Sequence, residues 1–193
     1  MNSPAKIFYL IGASGAGKDT ILNAYKKSAV NEKEKIVVAH RYITRVNAVV
    51  AQGENFISLS DAEFALRDSH RLFALSWQAN NCCYGIGVEL DACLNSGLSI
   101  IVNGSRSYLP TAQEKYPKNL VAITVDVPED MLRKRLVYRQ RESLQEIDAR
   151  IDRHRQLKGE HKADEVIMNA TTINDAVDSF SAIIKKYEKI ELA

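Results

Sequence analysis

The chain has 193 residues, of which 46% are apolar and 26% are charged. This usage is typical of one compact globular domain, and it excludes a disordered, collagen-like or coiled-coil protein. Lys and Arg number 26 and Asp and Glu 24, so the net charge of +2 supplies no global field for nucleic acid or an anionic membrane. The sequence contains no membrane-length apolar run, and residues 1–17 lack the features of a secretion signal. We therefore expect a cytoplasmic protein that binds neither nucleic acid nor membrane.

Four short apolar runs rich in β-branched residues predict the strands of a buried parallel sheet. They span residues 6–11, 35–39, 99–102 and 120–125. After the first run come a glycine-rich loop and a helix from 18 to about 28. Because the runs are continuous and do not alternate with polar residues, we expect helices to cover both faces of the sheet. The sequence therefore predicts an α/β fold.

Residues 40–87 depart from this pattern and predict a small insert on the α/β core. The runs at 72–77 and 82–86 are typical of short antiparallel strands. Ser-x-x-Glu capping boxes indicate the starts of two helices, one within this insert at Ser60 and one beyond it at Ser143.

The first loop carries a phosphate-binding pattern. Its sequence, Gly12-Ala13-Ser14-Gly15-Ala16-Gly17-Lys18, matches G-x-x-x-x-G-K between a predicted strand and a predicted helix, which is the context that the pattern requires. Glycines let backbone N–H groups turn toward an anion, and the helix N-terminus adds partial positive charge. Lys18 supplies a further charge for the β and γ phosphates. We therefore predict a P-loop NTPase-type sheet, nucleotide binding by residues 12–20, and a catalytic role for Lys18.

One position departs from the pattern, because Asp19 stands where a magnesium-binding Ser or Thr usually follows the lysine. Asp19 and Thr20 both carry oxygen atoms that can bind Mg²⁺, directly or through water. Asp19 equally fits a purely electrostatic role, since a carboxylate stabilises the first turn of a helix. None of the predicted strands ends in an aspartate that would serve as a further ligand. We expect ATP as co-substrate and Mg²⁺ as cofactor, with Asp19 and Thr20 as the candidate metal ligands.

Basic residues are concentrated near the end of the chain. Five lie within residues 133–141, and Arg150, Arg153 and Arg155 follow. Phosphoryl transfer needs donors that spread over the oxygens of the transferring phosphate, and arginine guanidinium groups serve this purpose. The cluster predicts a mobile flap over the nucleotide, although a solvated basic face has the same composition.

Polar side chains follow several predicted strands and turns, where binding groups tend to lie in α/β proteins. We take them as candidates for binding the acceptor of the phosphoryl group: His40, Arg41, Thr44, Arg45, Glu54, Asn55, Tyr84, Asn103 and Arg106.

In this order behind a P-loop, the motifs resemble those of the guanylate kinase-like family from residue 7 to about 184. Thr44-Arg45 resembles the end of the family's acceptor-phosphate motif, and Tyr84-Gly85 its Tyr-Gly motif. The resemblance implies that Arg135, Arg139 and Arg150 are catalytic lid arginines. It also implies a kinase core at 1–39, 97–132 and 159–193, an acceptor-binding insert at 40–96 and a helical lid at 133–158.

Six short segments are similar to those of one bacterial branch of this family, which acts in phosphonate breakdown. They are GASGAGKD, VAHRYITR, ENFISLS, ALSWQAN, YGIGVEL and VNGSR. The resemblance implies small-molecule substrates: ATP and ribose 1,5-bisphosphate would give ADP and 5-phosphoribosyl 1-diphosphate. A phosphate monoester is already an anionic nucleophile at neutral pH, so this reaction requires no general base.

Two other functions remain open: a nucleoside monophosphate kinase, especially for GMP, and a silent guanylate kinase-like module that binds a protein partner. Against GMP, Leu75 stands where guanylate kinases carry a guanine-binding glutamate, which would leave purine N–H groups unpaired. Against the silent module, Lys18 is intact. Arg41, Arg45 and Arg106 offer more cationic donors than one phosphate requires, which favours an acceptor with two phosphates.

Overall fold

The structure is a computed structural model that describes residues 4–28, 36–45, 55–140, 143–158 and 162–188. Strands and helices alternate through most of these residues. In chain order the elements are β1 (Ile7–Ile11), α1 (Lys18–Ser28), β2 (Ile36–Val38), β3 (Arg41–Ile43), β4 (Phe56–Ser58), α2 (Asp61–Ser69), β5 (Phe73–Ala79), β6 (Cys82–Gly87), α3 (Glu89–Asn95), β7 (Ser99–Asn103), α4 (Leu109–Lys115), β8 (Leu120–Asp126), α5 (Glu129–Tyr138), α6 (Leu144–Leu157), β9 (Glu165–Met168) and α7 (Ile173–Glu188).

The core is a parallel sheet with the strand order β2-β7-β1-β8-β9. The predicted α/β class and all four predicted core strands are confirmed. β2 is nevertheless less buried than its apolar sequence indicates. Among the described residues it lies at the sheet edge with β7 as its one neighbour, and Val37 is 38% exposed. The fifth strand, β9, escaped prediction because it has four residues and exposes Val166 and Met168.

The continuous apolar run of β1 follows from its central position in the sheet. Phe8 and Leu10 pack on one face in the cluster that includes α7, whereas Ile7, Tyr9 and Ile11 pack on the opposite face. All five side chains are buried. Successive strand residues point to opposite faces, so a strand covered on both sides has no polar positions.

The predicted insert forms a second, four-stranded sheet with the order β4-β3-β6-β5. β5 and β6 pair in the antiparallel manner that their sequences predict. β3 and β4, in contrast, are parallel neighbours. The side-chain amide of Asn55 ties this sheet to the core, because it donates to the backbone carbonyls of Val38 at 3.2 Å and Ala39 at 2.9 Å.

Both predicted capping boxes lie at helix starts. The Ser60 side chain accepts from the backbone N–H of Glu63 at the start of α2, and Ser143 and Glu146 form a reciprocal capping box at the start of α6. Within the described residues, the chain contains no helix with the length and hydropathy needed to cross a membrane.

Candidate active site

A polar cleft lies where β1 and β7 end, between the core sheet, the second sheet and α6. Fourteen of the predicted site residues line it: Gly12, Ser14, Gly15, Gly17, Lys18, Asp19, Thr20, Arg41, Arg45, Tyr84, Asn103, Arg106, Arg139 and Arg150. The fold therefore brings candidates for nucleotide binding, acceptor binding and the lid to one space.

Lys18 is the first residue of α1 and lies folded over the P-loop. Its ammonium group donates to the backbone carbonyls of Gly12 at 2.9 Å and Ala13 at 3.1 Å. Burial lowers its pKa to about 8, and although the Asp19 carboxylate opposes this shift, nearby arginines including Arg41 add to it. An anion in the loop would compensate for this concentration of positive charge. This geometry is favourable for a phosphate group.

The P-loop is braced from behind by the segment after β9. The side-chain amide of Asn169 donates to the carbonyl of Ala16 at 2.8 Å, and Arg135 donates to the carbonyl of Asn169 at 3.0 Å. Gly17 has a φ of +97°, and a Cβ there would collide with the Asn169 amide. Only glycine meets both demands at this position.

Asp19 joins three elements through a single oxygen. Its Oδ1 accepts a hydrogen bond of 2.7 Å from Nδ2 of Asn103 at the end of β7. The same oxygen lies 3.3 Å from Nη2 of Arg41 at the start of β3. Among the described residues, Oδ1 of Asn103 is buried without a hydrogen-bond partner.

An aromatic wall closes the side of the cleft formed by the second sheet. The ring of Trp77 stacks on Tyr84 with centroids 5.6 Å apart and an interplanar angle of 4°, and Tyr108 also stacks on Trp77 at 5.6 Å. Arg45 also lines the cleft, with its guanidinium carbon 5.7 Å from the Phe56 ring centroid. This side of the cleft therefore combines cations with flat apolar surfaces.

The loop after β7 is fixed by a buried tyrosine. The Tyr9 hydroxyl accepts from the backbone N–H of Ser105 at 3.1 Å. A Cβ at Gly104 would collide with the Tyr9 ring. The contact holds the loop that presents Arg106 to the cleft, and burial is the main cause that raises the pKa of Tyr9.

Two of the predicted lid arginines, Arg139 and Arg150, reach the cleft from α5 and α6. Arg139 caps α5, and Arg150 on α6 donates to the Ser14 hydroxyl of the P-loop at 2.6 Å. Arg153 also lines the cleft. A hydrogen bond of 2.6 Å between Arg133 and Asp148 ties the two helices together.

Several predicted site residues do not line this cleft. Thr44 accepts from the backbone N–H of Cys83 at 2.9 Å within the second sheet, and the Asn55 amide bridges the two sheets. His40 is exposed, and Arg135 braces the P-loop from behind. Ala13 and Ala16 contribute backbone to the loop, with buried side chains. Glu54 lies outside the described residues.

The structure also adds residues that the sequence did not single out for the site. Trp77, Ser105 and Ser107 line the cleft. Trp77 belongs to the ALSWQAN segment that carried the family resemblance, which was the available signal. β8 ends in Asp126, one residue beyond the predicted strand, but this carboxylate lies 3.4 Å from Nζ of Lys158 and does not line the cleft.

The parallel sheet, the P-loop and the lid arginines define a P-loop phosphotransferase of the guanylate kinase-like fold. A guanylate kinase from Anaplasma phagocytophilum has the same fold, with a TM-score of 0.73 and 19% identity over 97% of this chain and 88% of that one. No protein-family model matches the chain.

The sequence relatives specify the family within this class. The chain is 46% identical to "Ribose 1,5-bisphosphate phosphokinase PhnN" of Pectobacterium parmentieri over 164 residues, 85% of each chain. It is 41% identical to the protein of that name from Klebsiella pneumoniae over 184 residues, 95% of each chain. The chain belongs to the ribose 1,5-bisphosphate phosphokinase family. The expected family resemblance is thereby confirmed.

Proposed function

We propose that the chain transfers the γ-phosphoryl group of ATP to the 1-phosphate of ribose 1,5-bisphosphate. An oxygen of the 1-phosphate bonds to the γ-phosphorus, the bond from that phosphorus to the β-γ bridging oxygen breaks, and ADP and 5-phosphoribosyl 1-diphosphate leave. The observation that carries the proposal is that Lys18 of the P-loop shares one cleft with Arg41, Arg45 and Arg106. The name of the relatives, ribose 1,5-bisphosphate phosphokinase, supports the same acceptor.

The reaction depends on positioning and charge. The attacking phosphate has a second pKa near 6 and is an anion at neutral pH, so it needs no general base. Arg41, Arg45 and Arg106 would hold the acceptor, while Lys18 would neutralise charge on the nucleotide phosphates. Arg139 would complete the charge around the transferring group when the lid closes.

The residues beside Lys18 fit Mg²⁺. Within the described residues there is no group of three or more His, Cys, Asp or Glu side chains arranged to hold a metal. This agrees with an ion that keeps several waters and binds mainly substrate phosphates. Both Asp19 and the exposed Thr20 line the cleft, and their oxygens would hold the ion. When bound, Mg²⁺ would neutralise charge on the β and γ phosphates.

The geometry favours the sugar bisphosphate over GMP. Leu75, at the position of the guanine-binding glutamate of guanylate kinases, is 1% exposed and packs in the core, so it offers no acceptor to a purine. The silent binding module is disfavoured because Lys18 and its loop are intact and face the cleft.

The proposal extends to the regions of the chain and to its cellular compartment. We assign residues 40–96 to acceptor binding, residues 133–158 to the lid and the remainder to the kinase core. The described cysteines, Cys82, Cys83 and Cys93, carry free thiols. Free thiols suit a reducing compartment such as the cytoplasm, where ATP is supplied.

The test is a steady-state assay of ribose 1,5-bisphosphate and GMP side by side with MgATP. We expect turnover of the sugar bisphosphate and little of GMP. Efficient phosphorylation of GMP without that of ribose 1,5-bisphosphate would overturn the substrate assignment.

Lys18→Ala should lower kcat by about a hundredfold or more, because one preorganised charge at the transferring phosphate is lost. Lys27→Ala, an exposed lysine of the same helix, is the matched control and should keep wild-type turnover.

A further inference from the structure

The two oxygens of the Asp19 carboxylate have different surroundings. Oδ1 accepts from Asn103 at 2.7 Å and from Arg41 at 3.3 Å. Among the described residues, Oδ2 has no hydrogen-bond donor or cation within contact distance, although the side chain lines the cleft. One oxygen is therefore used inside the protein, and the other remains for solvent or a ligand.

The Arg41 guanidinium requires this partner. The Arg41 side chain is only 13% exposed, so its charge is largely withdrawn from water, and an unpaired charge in such a place is costly. Within the described part of the chain, the guanidinium pairs with Asp19 Oδ1. The serine or threonine usual after the P-loop lysine is neutral and shorter. Among the described residues, such a side chain would leave Arg41 without a counter-charge.

The pair also joins the two substrate sites. Asp19 follows Lys18 directly in the first turn of α1, so its backbone position is fixed by the P-loop. Arg41 begins β3 of the second sheet, and it lines the cleft on the acceptor side. Asn103 holds the same oxygen from the end of β7, and the Asn103 residue is 4% exposed. The carboxylate is therefore held in one place by a buried donor, Asn103, and a largely buried one, Arg41.

We propose that Asp19 is a positioning residue that orients Arg41 toward the acceptor phosphate and fixes the distance between acceptor and nucleotide. This inference rests on the proposed function of the cleft. It explains the departure from the usual P-loop pattern: the chain has an aspartate there because Arg41 needs an anionic partner attached to the P-loop. Oδ1 serves Arg41 whether or not Oδ2 also meets a metal ion.

The test is a double-mutant cycle of Asp19→Ser and Arg41→Gln in the full chain, with kcat and both KM values measured at saturating Mg²⁺. We expect each single variant to raise the KM for ribose 1,5-bisphosphate by on the order of tenfold or more, since the guanidinium loses its orientation or is absent. ATP binding, measured by calorimetry, should stay within about twofold of wild type because Lys18 is intact. The double variant should be no worse than the more impaired single variant.

Asp19→Asn separates orientation from charge. The amide oxygen can still accept from both donors, so this variant should keep a lower acceptor KM than Asp19→Ser. Glu63→Gln is the matched control, because it removes the carboxylate from the exposed ion pair with Arg67 on α2, and it should leave both KM values unchanged.

Two results would overturn the inference. One is additivity of the Asp19 and Arg41 effects on the acceptor KM. The other is an Asp19→Ser variant that changes only the Mg²⁺ requirement, with an unchanged acceptor KM, which would make Asp19 a metal ligand alone.

The same cycle is measured by thermal unfolding without substrates, where the effects of the two substitutions on stability should be non-additive as well. If wild-type protein fails to use ribose 1,5-bisphosphate, the proposed function fails, while this substrate-free cycle still tests the pair.

Discussion

The side-chain amide of Asn169 donates a hydrogen bond of 2.8 Å to the backbone carbonyl of Ala16, across 153 residues of sequence. Asn169 directly follows β9, so the edge strand of the core sheet fixes the shape of the P-loop. Arg135 completes the brace, because it donates to the carbonyl of Asn169 at 3.0 Å and to that of Ala16 at 3.4 Å. The loop is therefore preorganised by contacts that do not touch phosphate.

Asn169→Ala should lower the free energy of unfolding by about 1–3 kcal/mol, because the Ala16 carbonyl loses the closer of its two donors. It should also weaken ATP binding, since the loop is released from its support. Chemical unfolding and calorimetric titration measure the two effects.

Asn119→Ala is the matched control for this variant. Asn119 makes the same kind of bond, 2.8 Å to the carbonyl of Ala5, but outside the cleft. It should destabilise the protein to a similar degree and leave ATP affinity unchanged. Equal loss of affinity in the two variants would show that Asn169 acts through global stability and not through the loop.

The P-loop was predictable from the sequence, whereas the Asn169 contact that supports it was not. The P-loop and β1 could be predicted because their signals are local: glycine spacing, a following lysine and an uninterrupted apolar run. Asn169 could not, since its role depends on a partner 153 residues away and on a strand of four residues. The parallel pairing of β3 with β4 escaped prediction for the same reason, because neither sequence alone specifies its neighbour.

The orientation of the predicted lid arginines could not be predicted from the sequence either. Composition predicted a basic flap, but it could not separate side chains that line the cleft from those that face solvent. Arg139 and Arg150 line the cleft, whereas Arg133 pairs with Asp148 on the outside. Only the helix orientations in the fold make this distinction.

Arg139→Ala and Arg150→Ala should lower kcat more than they weaken ATP binding, because lid arginines engage fully only when the site closes around the transferring group. Steady-state kinetics combined with equilibrium ATP binding measures the split. Arg133→Ala removes a lid arginine outside the cleft, and it should keep kcat near the wild-type value. A rise in the KM for ATP alone in both cleft variants would make these residues ground-state binders and contradict a lid mechanism.

The buried His154 should make the free energy of unfolding fall in acid. This residue of α6 is 6% exposed, and burial, followed by the charge of Arg106, lowers its pKa below the ordinary 6.5. Asp126 and Glu129 oppose the shift, while Lys158 adds to it.

The direction of the effect follows from proton linkage. Below pH 6.5 the unfolded chain binds a proton more readily than the folded one, so the free energy of unfolding falls as the pH decreases. We expect thermal melts between pH 5 and pH 8 to show this slope, and the slope should be smaller in His154→Leu. His70→Gln, at an exposed histidine, should keep the wild-type slope. An unchanged slope in His154→Leu would assign the acid sensitivity to other groups.

Trp77 provides a direct signal for acceptor binding, because it is the single tryptophan of the chain. Its ring lines the cleft and stacks on Tyr84 at 5.6 Å and on Tyr108 at 5.6 Å. A dianionic phosphate placed near Arg45 would change the electric field at the indole and its access to water. We therefore expect ribose 1,5-bisphosphate alone to produce a saturable change in tryptophan emission. Arg45→Gln should shift the midpoint to higher concentration by about tenfold, as expected when one charged hydrogen-bond partner is lost. GMP at equal concentration should give little change, and a response to ATP alone that equals the response to the acceptor would show that Trp77 lies on the nucleotide side of the cleft.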